Sequence, residues 1–355
     1  MPEGKTTSRG STGGFIITAD WHVHTWREGG EPHLGINGRL VDILRALREL
    51  IAYAITHQVK TIYQLGDVFH LKRNIPTQAY DQLYDLLSTA ARDGLEFVFL
   101  VGNHDRENDR RDSVTILPFA EFAHVIDEPL IDQNVGIVYL PWLYDQARII
   151  KTLQTLPQRK EWHMLLFHGE LDGASVGPSD YILKSKLKLN LIKPERFNHV
   201  FAGHLHKRQL HRGVWYPGSL VAKDFGEPEL DKGFIHVTDE QAKIVTVQYP
   251  AFRTLDFESE WDDKHLSNRV RGQFVKCLVT EERFEQARQL LERFEPRYLR
   301  FVVNAERKVS LKDKERIGVQ SLDQLIDAYL DDRKVSGDTR LDYKRYALDV
   351  LNRVS

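Results

Sequence analysis

Apolar runs in this chain are short, and several end on Gly, Asp or His. Phe15-Ile16-Ile17-Thr18 ends at Asp20, Thr61-Ile62-Tyr63-Gln64-Leu65 at Gly66-Asp67, and Phe97-Val98-Phe99-Leu100-Val101 at Gly102-Asn103-His104-Asp105. The third run is apolar throughout, as expected of a strand covered on both faces. Between these runs the period changes. Leu40, Ile43, Leu44, Leu47, Leu50, Ile51, Ala54 and Ile55 share one face at helical spacing, which predicts a helix over 38–57. A second helix is predicted from Pro76, read as a first-turn proline, to about Arg92. The alternation predicts an α/β core with a largely parallel portion.

Further strands are predicted at 137–140, 164–167 and 199–202, the last two running into His168 and His204. Short strands joined by turns follow at 208–212, 214–216, 233–238 and 243–247, which predicts an antiparallel region and a two-sheet core. The polar stretch 258–271 reads as a boundary. A strand over 274–279, a helix capped by Thr280 and bearing Phe284, Ala287, Leu291 and Phe294, and a strand over 298–303 make a small βαβ unit. Past Ala305 the chain turns charged. Ser321 and Gln324 form a capping-box pattern for one helix, and Tyr343, Tyr346, Ala347, Val350, Leu351 and Val354 line another. The expected division is a disordered tail over 1–13, a main domain over 14–257, a βαβ cap over 258–310 and a helical tail over 311–355.

A chain of 355 residues is long enough for one large core and a smaller domain. Its net charge of −2 supplies no global field for nucleic acid, so any DNA contact must come from local patches. The single Cys277 excludes an intramolecular disulfide and fits a reducing, cytoplasmic compartment; within its apolar run it reads as a small core residue. No apolar run is long enough to span a bilayer.

The candidate chemistry lies where the predicted strands end. Asp20-Trp21-His22, Gly66-Asp67, Gly102-Asn103-His104-Asp105, His168-Gly169 and Gly203-His204-Leu205-His206 offer two carboxylates, an amide oxygen and four imidazoles. Each piece alone is an ordinary turn or strand-end signal. The ordered set of five is not. Strand ends are rigid and project into a crevice above a sheet, so they can bring distant residues to one point. Seven candidate ligands with no thiolate disfavour a closed structural zinc site and fit two hard or borderline divalent ions bridged by one carboxylate. Ions roughly 3.5–4 Å apart would lower the pKa of a bound water and offset charge on a phosphate. The leaving oxygen needs a proton, for which His104, beside Asn103, is the candidate.

These motifs resemble those of the calcineurin-like metallophosphoesterases, and within them the SbcD-type exonuclease subunits, including phage recombination nucleases. The narrower resemblance rests on Gly66-Asp67-Val68-Phe69-His70, on Tyr216-Pro217-Gly218-Ser219 with Phe225-Gly226-Glu227 and Lys232-Gly233-Phe234, and on the cap with its helical tail. It implies a two-sheet α/β sandwich with a βαβ capping domain and C-terminal helices. It also implies Asp20, His22 and His206 on one metal, Asn103, His168 and His204 on the other, and Asp67 between them. His104 would protonate or steady the leaving oxygen, and His70 would touch the phosphate or steer the DNA end. The metal would be manganese, with magnesium as the alternative.

By the same resemblance the function is DNA cleavage in recombination, repair or replication. The setting would be the cytoplasm of a bacterial or phage-infected cell. The partners would be an SbcC-type coiled-coil ATPase, through the C-terminal helices, and a second copy of the chain, through the helices over 38–57 and 76–92. Lys72, Arg73, Arg106 and Lys207 flank the motifs and are expected to contact the DNA backbone. The competing activities on this fold are a phosphatase and a cyclic-nucleotide phosphodiesterase. Val68-Phe69-His70-Leu71, where protein phosphatases carry Asp-Arg-Gly, speaks against the former. A silent scaffold would have lost ligands, and none is lost. One departure stands out. Val23-His24 follows Asp20-Trp21-His22 where Leu-Gly is usual, and His24 is expected to be structural or to back the ligands.

Overall fold

In this computed structural model, residues 13–159, 161–177, 181–227, 232–257 and 263–304 are described. The strands are β1 Phe15–Thr18, β2 Thr61–Gln64, β3 Glu96–Leu100, β4 His124–Ile126, β5 Leu130–Asp132, β6 Ile137–Leu140, β7 Trp162–His168, β8 Ser175–Val176, β9 Tyr181–Ile182, β10 Phe197–Gly203, β11 Gln209–His211, β12 Val214–Tyr216, β13 Gly233–Val237, β14 Ala242–Thr246, β15 Phe252–Asp256, β16 Phe274–Thr280 and β17 Tyr298–Asn304. The helices are α1 Gly38–Thr56, α2 Thr77–Arg92, α3 Gln146–Gln154, α4 Leu189–Ile192, α5 Asp263–Val270 and α6 Phe284–Glu292.

Two six-stranded sheets carry the fold, ordered β14-β13-β1-β2-β3-β4 and β11-β12-β10-β7-β6-β5. In the first, β1 to β4 are parallel, and β13 turns antiparallel against β1. In the second, β6, β7, β10 and β12 are parallel, with β5 and β11 antiparallel beside them. This is the mixed two-sheet α/β sandwich expected from the pattern.

The period of two along each strand divides the core into layers. Ile17, Tyr63, Leu65, Val98 and Leu100 of the first sheet meet Tyr139, Met164, Leu166 and Phe201 of the second. The alternate residues Ile16, Ile62, Phe97 and Phe99 face away and pack on α1 and α2. Leu140, Leu165, Phe167, Val200 and Ala202 do the same towards α3 and α4. Asn37 caps α1, its side chain accepting from the Leu40 amide at 3.1 Å. The apolar face of α1 is buried against the first sheet, as are Ala79, Leu83 and Leu87 of α2, so these stripes are core.

The third sheet, β15-β16-β17, departs from the expected boundaries in local detail. Its first strand lies ahead of position 258 and pairs in parallel with β16. The polar stretch read as a boundary contains α5, whose Leu266 and Val270 are buried with Val275, Cys277 and Val279. Two apolar residues one turn apart suffice to dock so short a helix. Thr280 ends β16 instead of capping α6, which starts after Arg283 with no side-chain cap bond. Pro76 occupies the cap position of α2, one residue ahead of its first turn. The two helices expected after 311 lie outside the described residues.

Phe99 is fully buried, edge-on to Trp21 at 5.8 Å and against Phe119 at 5.7 Å. Phe99→Ala should lower unfolding stability by about 3–5 kcal/mol, read from denaturant melts. A loss below about 1 kcal/mol would mean that this layer is not a packed core.

Candidate metal centre

Five neighbouring strand ends deliver the predicted residues. The loops after β1 and β2 stay in step beyond the strands: the Asp20 amide donates to Gly66 O at 3.0 Å and the His22 amide to Asp67 O at 3.0 Å. The backbone is bent sharply there. Asp20, His22, Asp67 and His204 all have positive φ, at 52°, 46°, 60° and 94°, a conformation that costs a residue with a Cβ and recurs at functional sites. The glycines of the motifs have a steric reason. A Cβ on Gly66 would strike the His168 ring, and one on Gly203 would strike the Leu65 carbonyl.

The donors form two adjoining groups. In the first, His22 Nε2 lies 3.0 Å from His206 Nε2, 3.9 Å from Asp20 Oδ1 and 3.6 Å from Asp67 Oδ2, and His206 Nε2 lies 3.7 Å from Asp20 Oδ1. In the second, Asn103 Oδ1 is 2.9 Å from His168 Nε2 and 2.8 Å from His204 Nδ1, and His168 Nε2 is 3.5 Å from Asp67 Oδ1. Asp67 therefore turns one oxygen to each group. Asp20, His22 and His206, and separately Asp67, His168 and His204, bring ligand atoms within 4.8 Å of one another.

Hydrogen bonds behind the rings set which nitrogen faces inward. His168 Nδ1 donates to the Leu65 carbonyl at 2.6 Å, and His206 Nδ1 to Glu227 Oε1 at 2.7 Å. His204 Nε2 is 3.3 Å from Glu170 Oε1. The inward nitrogens of His168 and His204 thus present lone pairs to the Asn103 oxygen. Acceptors facing acceptors in a buried space repel, and a cation between them removes the conflict. Burial also favours the neutral, ligating form of the imidazoles. It pushes the His22 imidazole far below its usual range, His206 lower as well, and His168 down to about 4. Burial, with Asp67 beside it, holds the Asp20 carboxyl well above the ordinary carboxylate range, which favours its proton until a cation displaces it. Neutral imidazoles crowded among carboxyl oxygens suit a divalent metal.

His104 adjoins both groups, and with His22 and His70 it forms a third set whose ligand atoms lie within 4.8 Å of one another. Its backbone amide donates to Asp67 Oδ1 at 2.8 Å and its Nδ1 to the His70 carbonyl at 2.5 Å; its ring centre is 4.8 Å from that of His22. The His70 ring packs on Trp26, centre to centre at 4.4 Å, and on His24 at 5.3 Å. Burial foremost, with the Lys223 ammonium, brings His70 down to about 4. The His24 ring lies against Trp26 at 5.1 Å and against His70, and among the described residues it joins none of the candidate donor clusters.

The flanking cations differ in fate. Lys72 donates to the Tyr144 hydroxyl at 3.0 Å, exposed Arg73 pairs with Glu107 at 2.6 Å, and Lys207 is half-buried. Arg106 corrects the expectation. It is fully buried and donates to the carbonyls of Trp142 at 2.9 Å and Asp127 at 3.0 Å, so it clamps two loops and presents no charge to a ligand. The rigid fork of a guanidinium suits two fixed carbonyls.

Three acidic residues around the donors were not foreseen. Glu227 and Glu170 stand behind His206 and His204. Asp105 lies beneath the site, its carboxylate accepting from the amides of Asp67 at 2.7 Å, Val68 at 2.9 Å and Gly102 at 2.9 Å. Glu227 lies in the Phe225-Gly226-Glu227 segment already noted, but only its position in space shows what it holds.

A mixed two-sheet sandwich with oxygen and imidazole donors at its strand ends is the arrangement of a metal-dependent phosphoesterase. The family model "Calcineurin-like phosphoesterase" matches residues 14–208, more than half of the chain, and the chain belongs to that family, which uses divalent metals. Exonuclease subunit 1 of Enterobacteria phage T4 is 24% identical over 332 residues, covering 85% of this chain and 90% of that protein. A solved structure described as Pseudomonas putida nuclease MPE is 18% identical, covers 56% of this chain and 64% of that one, and has a TM-score of 0.25. This chain therefore spans less than two thirds of that protein, and so low a score adds nothing about the fold. The family and the phage relative agree with the SbcD-type resemblance of the motifs.

Asp105→Ala strips four buried amides, those of Asp67, Val68, Phe69 and Gly102, of their acceptor. At about 1–3 kcal/mol for each orphaned donor, the variant should lose at least about 3 kcal/mol in a urea melt and retain less metal on dialysis. An unchanged melt would mean that Asp105 does not organise these loops.

Proposed function

We propose that this phosphoesterase is a DNA nuclease subunit that cleaves phosphodiester bonds with two divalent cations. The observation that supports this best is Asp67, whose two oxygens face two separate groups of donors. Asp20, His22 and His206 would hold one cation, Asn103, His168 and His204 the other, with Asp67 shared. When bound, such a pair supplies Lewis acidity towards the phosphate and lowers the pKa of a bound water. Manganese is the metal proposed, with magnesium second.

The remaining chemistry belongs to the chain. With Nδ1 of His104 engaged by the His70 carbonyl, its Nε2 is the atom left to hold a proton for the leaving oxygen. His70 lies alongside, backed by Trp26, where it can contact a phosphate or steer the end of the strand. Lys72, Arg73 and Lys207 would follow the backbone without reading sequence. The name of the phage relative supports a nucleic-acid substrate and, in the word subunit, a partner. We assign that partner, from the motifs, as an SbcC-type ATPase bound through the C-terminal helices, and we expect the chain to work as a dimer in the cytoplasm. Among the described residues no helix is long and apolar enough to cross a membrane.

The deciding experiment is cleavage of plasmid and short duplex DNA with manganese, with and without the ATPase, beside phosphopeptide and cyclic-nucleotide substrates. DNA should be cut, with a rate at subsaturating DNA that falls steeply as salt rises. Activity confined to the small substrates would reject the nuclease reading. His104→Ser should keep its metal by elemental analysis and lose about 10²- to 10⁴-fold in cleavage rate. Loss of the metal would mean that His104 is a ligand.

A further inference from the structure

His206 is gripped from behind at two points by one buried network. Its ring Nδ1 donates to Glu227 Oε1 at 2.7 Å. Its backbone carbonyl accepts from Lys232 Nζ at 2.9 Å. The same ammonium donates to Ser219 Oγ at 2.7 Å and to Glu227 Oε2 at 2.5 Å, which engages all three of its hydrogens. Ser219 donates to Glu227 Oε2 at 3.1 Å, and its amide donates to the His206 carbonyl at 3.2 Å. Ser219 also bridges Ala19, next to Asp20. The Lys232 side chain is fully buried and that of Glu227 nearly so.

A buried ion pair of this kind is weak evidence for stability, because desolvation offsets the attraction. The network has a more specific effect. It leaves the imidazole one tautomer, with the Nε2 lone pair turned towards Asp20 and His22, where the Lys223 ammonium also reaches it at 3.3 Å, and it fixes the ring against the strand end. Among the described residues no other donor ring is held in this way. The ring of His168 is backed by a neutral backbone carbonyl. His204 is backed by Glu170, whose side chain is 39% exposed. Nδ1 of His22 has no hydrogen-bond partner.

We propose that Glu227 and Lys232 are positioning residues that set the cation affinity of the group Asp20, His22 and His206, and of that group selectively. This rests on the two-cation reading. An anion behind an imidazole raises its basicity as a ligand and holds its orientation, and loss of such a partner typically costs 10- to 100-fold in metal affinity. The group that contains Asn103, His168 and His204 does not touch the network and should keep its cation.

The test is manganese binding to the full chain, by titration calorimetry and by elemental analysis after equilibrium dialysis, with no activity readout. The double variant Glu227→Leu/Lys232→Met removes both charges and leaves no unpaired ion. Glu227→Gln keeps a carbonyl oxygen for the ring and removes the anion. Wild type should take up two manganese ions. The double variant should bind one of them about as before and the other roughly 10- to 100-fold more weakly. Glu227→Gln should weaken that same site by about 10-fold. If the double variant does not fold, Glu227→Gln decides. Two sites of wild-type affinity in a folded variant overturn the proposal, as does an equal loss at both sites, which would make the pair a general prop. A wild-type chain that takes up fewer than two ions overturns the two-cation reading itself and the selectivity with it.

Discussion

The structure is organised around a repulsion. Asp20, Asp67, Asn103 and four imidazoles crowd their polar atoms together in a largely buried space, where the Lys223 ammonium answers one of them, His206 Nε2, at 3.3 Å. Such an arrangement is unfavourable by itself, so it persists only because the surroundings over-determine it. The parallel pairing of β1, β2 and β3 fixes one side and that of β7 and β10 the other. Positive φ at Asp20, His22, Asp67 and His204 turns each side chain into the shared space. The two sheets supply the packing that holds these strained turns in place, as expected when strain serves a site.

The loops also support one another without any ligand. Asp105 takes four amides from two different loops, and Arg106, next to it, takes two carbonyls from two more. One residue serves the donors that point inward and the other the acceptors around them. Both side chains are fully buried, so the cost of their desolvation is offset by hydrogen bonds and not by proximity of charge alone.

The donor residues were legible because each ends a run whose apolar pattern is itself strong. Phe97 to Val101 reads as a buried strand with no knowledge of its neighbours, so Asn103 is placed at once. The glycines beside the donors carry the same information, since Gly66 and Gly203 lie where a Cβ would collide with His168 or with Leu65. What lies behind the donors was not legible. Glu227 reaches His206 across twenty-one positions, and no periodicity reports such a contact. Arg106 reads as one more cation near a motif, and only its contacts reveal a clamp. α5 was hidden for a different reason: in a polar stretch the burial of Leu266 and Val270 comes from β16, not from the helix's own pattern. Sequence reasoning therefore finds groups fixed by their own strand and misses groups fixed by another element.

The same distinction bears on His104. A donor to a metal is oriented by its ring, whereas His104 is held by its backbone amide on Asp67 and by Nδ1 on a carbonyl. The second bond would be lost if the ring swung further inward, while the first fixes the backbone whatever the ring does. They place the other nitrogen beside the His22 ring and next to the shared carboxylate. On the proposed reading, the loop after β3 would divide the two tasks of phosphate ester hydrolysis, gathering charge and passing a proton, between its neighbours Asn103 and His104.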